Sequence, residues 1–353
     1  MSGRYSTLTS RELSSLDVFA RLPPDELAAA GSLWMRRLLE PGEVLWLHGQ
    51  QAEELAVLVR GEMVARIADE DVGRIPQGNL VGEAAALCSD WRTASVFAET
   101  DCELLVISSR GLRLLRAQHA TVYERLLHRA LDQIVRQIQE VDRHIAQLAE
   151  GGTDRPKRKK EGAFASFVQR LTGAHSEAPP PALPALRQIG VLKDAPSEAV
   201  IAISAALTPH RVRSGQPVFL EGDPGDGVFL LVDGCVEVVR GVRGGRGEVL
   251  ANLFAPALFG TGSLLTRERR NASCVAAETT DCWVFEMSSG AFRGLRGEAG
   301  LLWRQVLLSA LWFQLSRADQ QLVKLKRGGE AVSETDLARV RSGLVSYQVA
   351  ERS

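Results

Sequence analysis

The sequence predicts an α+β, mainly β protein: two antiparallel β-barrel or jelly-roll domains, each followed by a long α-helix. Three observations carry the prediction. The chain repeats itself. Each repeat is a series of short apolar stretches punctuated by Gly, Pro and Asp. Each repeat then runs into a long segment with helical apolar spacing.

The repeat is read from short motifs in a shared order. Pro41-Gly42-Glu43-Val44-Leu45-Trp46-Leu47-His48-Gly49 is matched by Ser214-Gly215-Gln216-Pro217-Val218-Phe219-Leu220-Glu221-Gly222, and Leu58-Val59-Arg60-Gly61 by Leu231-Val232-Asp233-Gly234, at one constant separation. Val81-Gly82-Glu83 and Arg92-Thr93-Ala94-Ser95 then match Phe259-Gly260-Thr261 and Arg270-Asn271-Ala272-Ser273 at a slightly larger separation. The second copy therefore carries a longer loop, placed at the glycine-rich stretch Gly241 to Gly247.

Within the copies, Val44–Leu47, Leu55–Val59, Met63–Ile67 and Leu104–Ile107 read as strands, as do Val218–Leu220, Val228–Val232, Val236–Val239 and Trp283–Met287. Strands spaced at roughly 8–12 residues with turn signals between them suit a small antiparallel barrel or jelly roll.

After the first copy, Leu127, Leu131, Ile134, Ile138, Val141, Ile145 and Leu148 alternate steps of four and three, an a/d heptad seam. Gln133, Arg136, Glu140, Arg143 and Gln147 read as the polar faces of that helix. Such a seam either packs on its own domain or pairs with a second copy; its length and regularity point to a homodimer through the Leu127–Leu148 helix. The helix after the second copy is looser, with Leu308, Leu311, Leu315, Ala318, Leu322 and Leu325.

Between the copies lie Gly151-Gly152, the basic run Arg155-Pro156-Lys157-Arg158-Lys159-Lys160 and Pro179-Pro180-Pro181, a linker by composition. Phe164, Phe167, Val168 and Leu171 form one apolar stripe inside it. The stripe reads as a short helix covering a domain surface; peripheral membrane contact or partner docking through the linker stays open as an alternative. The tail holds one capped helical pattern, with Ser333 leading into Asp336, Leu337, Val340 and Leu344. The expected layout is thus domain 1 at 13–118, its helix at 119–150, the linker at 151–184, domain 2 at 185–296, a second helix at 297–327 and a tail at 328–353.

Composition narrows the function classes. Hydrophobic residues at 45% and charged residues at 24% fit a globular chain. Lys and Arg number 42 against 43 Asp and Glu, so bulk charge does not favour nucleic acid. The apolar stretch Leu301 to Phe313 is interrupted by Arg304 and Gln305, too short and too polar to span a bilayer. Met1 to Ser15 lacks the apolar core of a signal peptide, and Cys88, Cys102, Cys235, Cys274 and Cys282 form no paired spacing, so reduced thiols in a cytoplasm are expected. The histidines His48, His119, His128, His144, His175 and His210 are isolated, so no metal site is expected. Kinase, Walker and HExxH signatures are absent, and no catalytic group stands out.

The chemistry concentrates in Gly82-Glu83-Ala84-Ala85-Ala86-Leu87 and Arg92-Thr93-Ala94-Ser95. Gly82 lets backbone approach a ligand closely. A helix starting at Glu83 would present N–H groups to an anion. Arg92 can return on the next strand with a planar fork suited to phosphate, and Thr93 adds a hydroxyl. Glu83 is an odd partner for a phosphate but a good acceptor for a sugar hydroxyl. One carboxylate for a sugar and one guanidinium for a phosphate describe a small nucleotide.

This segment resembles the phosphate-binding cassette of cyclic nucleotide-binding domains, the family of protein kinase A regulatory subunits, catabolite activator proteins and cyclic-nucleotide-gated channels. The matching positions are Val81, Gly82, Glu83, Ala85, Arg92, Thr93, Ala94, Ser95 and Val96, and Ala98, Asp101 and Cys102 after them look most like channel-type cassettes. Pro41-Gly42-Glu43 and Gly61-Glu62 match the family's upstream pattern. The resemblance covers Leu13 to Leu148 and again Leu186 to Leu325. It implies that Glu83 accepts the ribose 2′-OH and that Arg92 pairs with the exocyclic phosphate. Backbone N–H groups from Gly82 through Ala84 to Ala85, with the Thr93 hydroxyl, would complete the cradle. Ala94 lies beside it, and Thr93 is compatible with cAMP or cGMP as ligand.

The second copy departs from the pattern. Gly260 and Arg270 remain and Asn271 is polar, but Thr261 replaces the carboxylate and Gly262 a helix-favouring residue. A second site there would be weaker, with Arg243, Arg267 and Arg269 as nearby cations. The resemblance implies a non-enzymatic, cytoplasmic cyclic-nucleotide receptor without an output domain of its own, signalling through helix and linker movement to an unknown protein effector. The alternative is a ligand-independent tandem-barrel scaffold docking to a partner or membrane.

Overall fold

The computed structural model describes residues 13–327 except 15, 21, 89–90, 151–177, 242–247 and 267. The basic run Arg155–Lys160, the Phe164–Leu171 stripe, Arg243, Arg267 and the tail at 328–353 lie outside the described residues. The described chain forms two compact units: one takes the chain up to 150 and resumes at Leu307, the other holds 178–306.

In the first unit a 3₁₀ turn (Asp17–Phe19) and α1 (Pro24–Gly31) precede the strands β1 (Met35–Leu39), β2 (Val44–Trp46), β3 (Glu54–Arg60), β4 (Met63–Ile67), β5 (Glu70–Ile75) and β6 (Leu80–Val81). Helix α2 (Glu83–Cys88) follows, then β7 (Ser95–Ala98), β8 (Cys102–Ser108), α3 (Ser109–Gln118) and α4 (Ala120–Glu150). The strands make two four-stranded antiparallel sheets, β1-β8-β3-β6 and β2-β7-β4-β5. Trp46, Leu58, Met63, Val81, Val96, Leu104 and Val106 fill a common core. The β4–β5 hairpin turns through Ala68 and Asp69, both at positive φ (51° and 68°), as a two-residue hairpin turn demands. Ser108 caps α3 by accepting from the Gly111 N–H at 3.1 Å, and the helix breaks at His119 before α4 begins.

The second unit repeats the plan. Helices α5 (Ala182–Gln188), α6 (Gly190–Lys193) and α7 (Ser197–Ala205) precede β9 (Thr208–Val212), β10 (Pro217–Phe219), β11 (Gly227–Asp233), β12 (Cys235–Arg240), β13 (Glu248–Phe254) and β14 (Ala257–Phe259). Then come α8 (Thr261–Thr266), β15 (Ser273–Ala276), β16 (Cys282–Ser288), α9 (Ser289–Gly294) and α10 (Gly297–Lys326). Its sheets run β10-β15-β12-β13 and β14-β11-β16-β9. Phe229, Leu231, Val236, Phe259, Cys274 and Val284 form its core. Ser288 caps α9 as Ser108 caps α3.

Three expectations change. Each domain is a pair of four-stranded sheets, which keeps the jelly-roll form of the expectation and drops the closed barrel. Helices also hold more of the described residues than strands, so the fold is mixed rather than mainly β. The short helices α1 and α7 open on Pro24 and just after Pro196, and their brevity hides their period. The heptad seam is used within the chain: Leu127, Leu131, Ile134, Ile138 and Val141 are all buried, and Val141 packs on Ala318 and Leu322 of α10. The seam from Leu127 to Val141 is thereby covered within the chain, and Leu148 at its far end is exposed.

Candidate functional site

Strand β6 ends at Gly82, where the backbone turns through φ 67° into α2. A Cβ at Gly82 would collide with the Arg92 guanidinium and the Trp46 ring, so glycine is required on both counts. Arg92 arrives on the segment before β7, its own backbone held by bonds from Arg92 N to Gln50 O and from Gly49 N to Arg92 O, both 2.8 Å.

The side chains converge. Arg92 is 4% exposed; Nη1 donates to the Gly82 carbonyl at 2.8 Å and Nη2 to the Glu54 carbonyl, while the guanidinium lies 3.6 Å from the Trp46 ring centroid. Burial pulls Arg92 down to about 10, opposed by the charges of Glu83 and Glu54, so it stays cationic at neutral pH. A guanidinium has five donors, and those not engaged with carbonyls remain for an anion.

Glu83 is 5% exposed at the start of α2. Burial pushes its carboxyl up to about 7, opposed by its own backbone N–H, by Arg92 and by a hydrogen bond from Gln133. That bond runs from Gln133 Nε2 to Glu83 Oε1 at 3.0 Å. The same amide donates to Leu80 O and accepts from Leu80 N, each at 2.9 Å. Gln133, expected on a polar outer face of the helix, is 5% exposed and clamps the cassette to α4. Ala84 and Ala85 are buried within α2, and Thr93 and Ala94 are half-buried beside Arg92.

In the second unit Gly260 turns at φ 74° into α8, and Thr261 and Arg270 are buried. Arg270 Nη1 donates to Gly260 O at 2.8 Å and to Ser263 Oγ at 2.5 Å, and Nη2 to Gly227 O at 2.7 Å. Its guanidinium stands 4.2 Å from the Phe219 centroid and 5.6 Å from that of Phe229. Asn271 is exposed. Arg270 thus meets two carbonyls as Arg92 does, with the Ser263 hydroxyl as an added acceptor and Nε left without a partner among the described residues, and no carboxylate matches Glu83.

Sequence reading missed Trp46, the Glu54 carbonyl and Gln133. Only Trp46 left a signal, as an aromatic matched by Phe219 in the repeat. Among the described residues no cluster of His, Cys, Asp and Glu could hold a metal, and no helix is long and apolar enough to cross a membrane.

The family model for the cyclic nucleotide-binding domain matches residues 36–119 and again 209–298, spanning both cassettes. The chain is a tandem cyclic nucleotide-binding domain protein. Over 90 residues it is 39% identical to the "Cyclic AMP receptor protein" of Thermus thermophilus, covering 25% of this chain and 40% of that protein's length, well under two thirds. It is 21% identical over 278 residues to the "cAMP-dependent protein kinase regulatory subunit" of Dictyostelium discoideum, covering 76% of this chain and 68% of that one. The solved regulatory domain of Toxoplasma gondii PKA with cAMP shares 17% identity at a TM-score of 0.30, covering 83% of this tandem protein and 92% of the solved chain.

Proposed function

We propose that the chain is a regulatory cyclic-nucleotide receptor whose first domain binds cAMP or cGMP and passes the event to a partner protein through α4. Arg92 holds the cyclic phosphate. Glu83 accepts the ribose 2′-OH, and the backbone from Gly82 to Ala85 with the Thr93 hydroxyl closes the cradle. The observation that carries this reading is the Glu83–Gln133 bond. The carboxylate that would meet the sugar is tied to the helix that would move, so ligand and helix share one hydrogen-bond network. The population shift of α4 is limited by the ligand's differential affinity for its two positions.

The second domain is a structural copy in this reading. Arg270 is engaged by Ser263, Gly260 and Gly227, and Thr261 lacks the charged acceptor. The domain limits 13–118 and 185–296, a cytoplasmic location and a non-enzymatic role belong to the same proposal.

A ligand deletion tests it. Removing the 2′-OH from the nucleotide should cost the wild type one hydrogen bond to a charged group, about 1.5–3 kcal/mol or about ten- to hundredfold in affinity. Glu83→Ala should bind the 2′-OH and 2′-deoxy nucleotides nearly equally. A variant that still discriminates as strongly as wild type contradicts the assignment of Glu83.

A further inference from the structure

The turn of the β4–β5 hairpin is made of residues that do not favour its shape. Ile67 pairs with Glu70, which leaves Ala68 and Asp69 as a two-residue loop, and both sit in the left-handed region at φ 51° and 68°. Such turns favour Asn and Gly, and an alanine Cβ crowds the backbone there. The second copy joins its equivalent strands through the glycine-rich stretch Gly241 to Gly247 instead. A strained turn persists only where its surroundings hold it.

The hold comes from the end of α10, which belongs to the first unit from Leu307 onward. Arg327 donates to the Ala68 carbonyl at the turn itself, 259 residues away along the chain. Lys326 Nζ donates to Asp71 O at 2.6 Å. Val323 is buried against Ile67 and Val72, with Ala68 packed beside them. One apolar residue and two cations thus grip the turn from both strands.

The same cluster reaches the cassette. Ala94, next to Thr93, packs against it. Arg66 of β4 pairs in register with Ser95 of β7, and its Nε donates to Asp71 Oδ1 across the hairpin at 2.6 Å. The hairpin therefore backs Thr93-Ala94-Ser95, and α10 sets the hairpin. We infer that the end of α10 is a clasp that positions the first cassette. Closed, it holds the turn and the wall under Ala94 in the binding form. Open, the turn relaxes and the cradle loses its backing. Val323, Lys326 and Arg327 are positioning residues that act through Ala94, and through them a helix that starts in the second unit governs affinity at the first pocket. The effect on affinity rests on the ligand assignment above; the clasp itself does not.

Hydrogen exchange and calorimetry with cAMP and cGMP, both on the full chain, test the clasp and its hold on the cassette. Arg327→Ala takes a charged donor from the Ala68 carbonyl, so amides at 67–72 should exchange about tenfold faster or more. Nucleotide should then bind about threefold more weakly or worse, in proportion to the open fraction. Arg327→Lys keeps a cationic donor and should stay within about threefold of wild type in exchange. Ala68→Gly removes the left-handed penalty, so in that background Arg327→Ala should accelerate exchange at least about threefold less. By reciprocity, saturating nucleotide should slow exchange at 67–72 and 318–327 in the wild type. Equal acceleration by Arg327→Ala in both backgrounds overturns the strained clasp. Faster exchange with unchanged affinity overturns its hold on the cassette. A wild type that binds neither nucleotide fails at the ligand reading, while the exchange measurements still decide the clasp.

Discussion

Replacing Gln133 with Leu should damage both stability and the pH response of ligand binding. The amide makes three buried hydrogen bonds: to Leu80 N and Leu80 O at 2.9 Å each and to Glu83 Oε1 at 3.0 Å. Leucine fills similar space but strands the Leu80 N–H and C=O away from water. At about 1–3 kcal/mol for each buried unsatisfied group, the loss is about 2–6 kcal/mol, a large share of a typical domain's stability. The second effect is electrostatic. Gln133 holds the Glu83 carboxyl down by donating to its ionised form, against burial that raises it to about 7. Ionised Glu83 is the proposed ribose acceptor, so wild-type affinity should be full above about pH 7 and fall below it. Without Gln133 the carboxyl rises further, and the midpoint of that fall should move to higher pH. Thermal melts and calorimetric titration across the pH range read the two effects separately. A Gln133→Leu protein with unchanged melting temperature and unchanged midpoint would refute the reasoning.

Three further outcomes concern Gly82, Gly42 and Glu83. Gly82→Ala should lose nucleotide binding and several kcal/mol of stability, because a left-handed φ of 67° is joined by collision with Arg92 and Trp46. Gly42→Ala, at φ 85° with nothing within 4 Å of the added Cβ, should cost only the backbone penalty of about 1–2 kcal/mol, as denaturant unfolding would measure. Glu83→Gln should separate stability from affinity. The folded carboxyl, raised from 4.5 to about 7, contributes stability that is present below about pH 4.5 and lost as pH rises through about 7. The neutral variant should therefore be more stable than wild type above pH 7, by roughly 3 kcal/mol, while binding nucleotide more weakly. A wild type whose stability does not fall through that window would contradict the buried state of Glu83.

Much of this was readable from residues alone. The repeat located both cassettes, and the strands Val44–Leu47, Leu55–Val59, Met63–Ile67 and Leu104–Ile107 fall on β2, β3, β4 and β8. Their counterparts in the second copy fall on β10, β11, β12 and β16. The strands left unread are β1, β5, β6 and β7 and their counterparts β9, β13, β14 and β15: β1 carries Arg36 and Arg37 in mid-strand, β9 contains Pro209 and is mostly exposed, and β6 and β14 are only two and three residues long. The α4 seam was visible, but its covering was not, because a heptad pattern specifies an apolar stripe and not what lies on it. Gln133 looked like surface because its burial depends on Leu80 and Glu83, far away in sequence. Long-range contact decides its role, and local spacing carries no trace of it.

The most direct measurement is the stoichiometry of cyclic-nucleotide binding by calorimetry on wild type, Arg92→Ala and Arg270→Ala. One nucleotide per chain is expected. Arg92→Ala should lose about a hundredfold or more in affinity, since an anion left without its buried cation forfeits about 3–5 kcal/mol. Arg270→Ala should keep the binding. Equal heats and affinities in wild type and Arg92→Ala would mean that the ligand, if any, sits somewhere other than on Glu83 and Arg92.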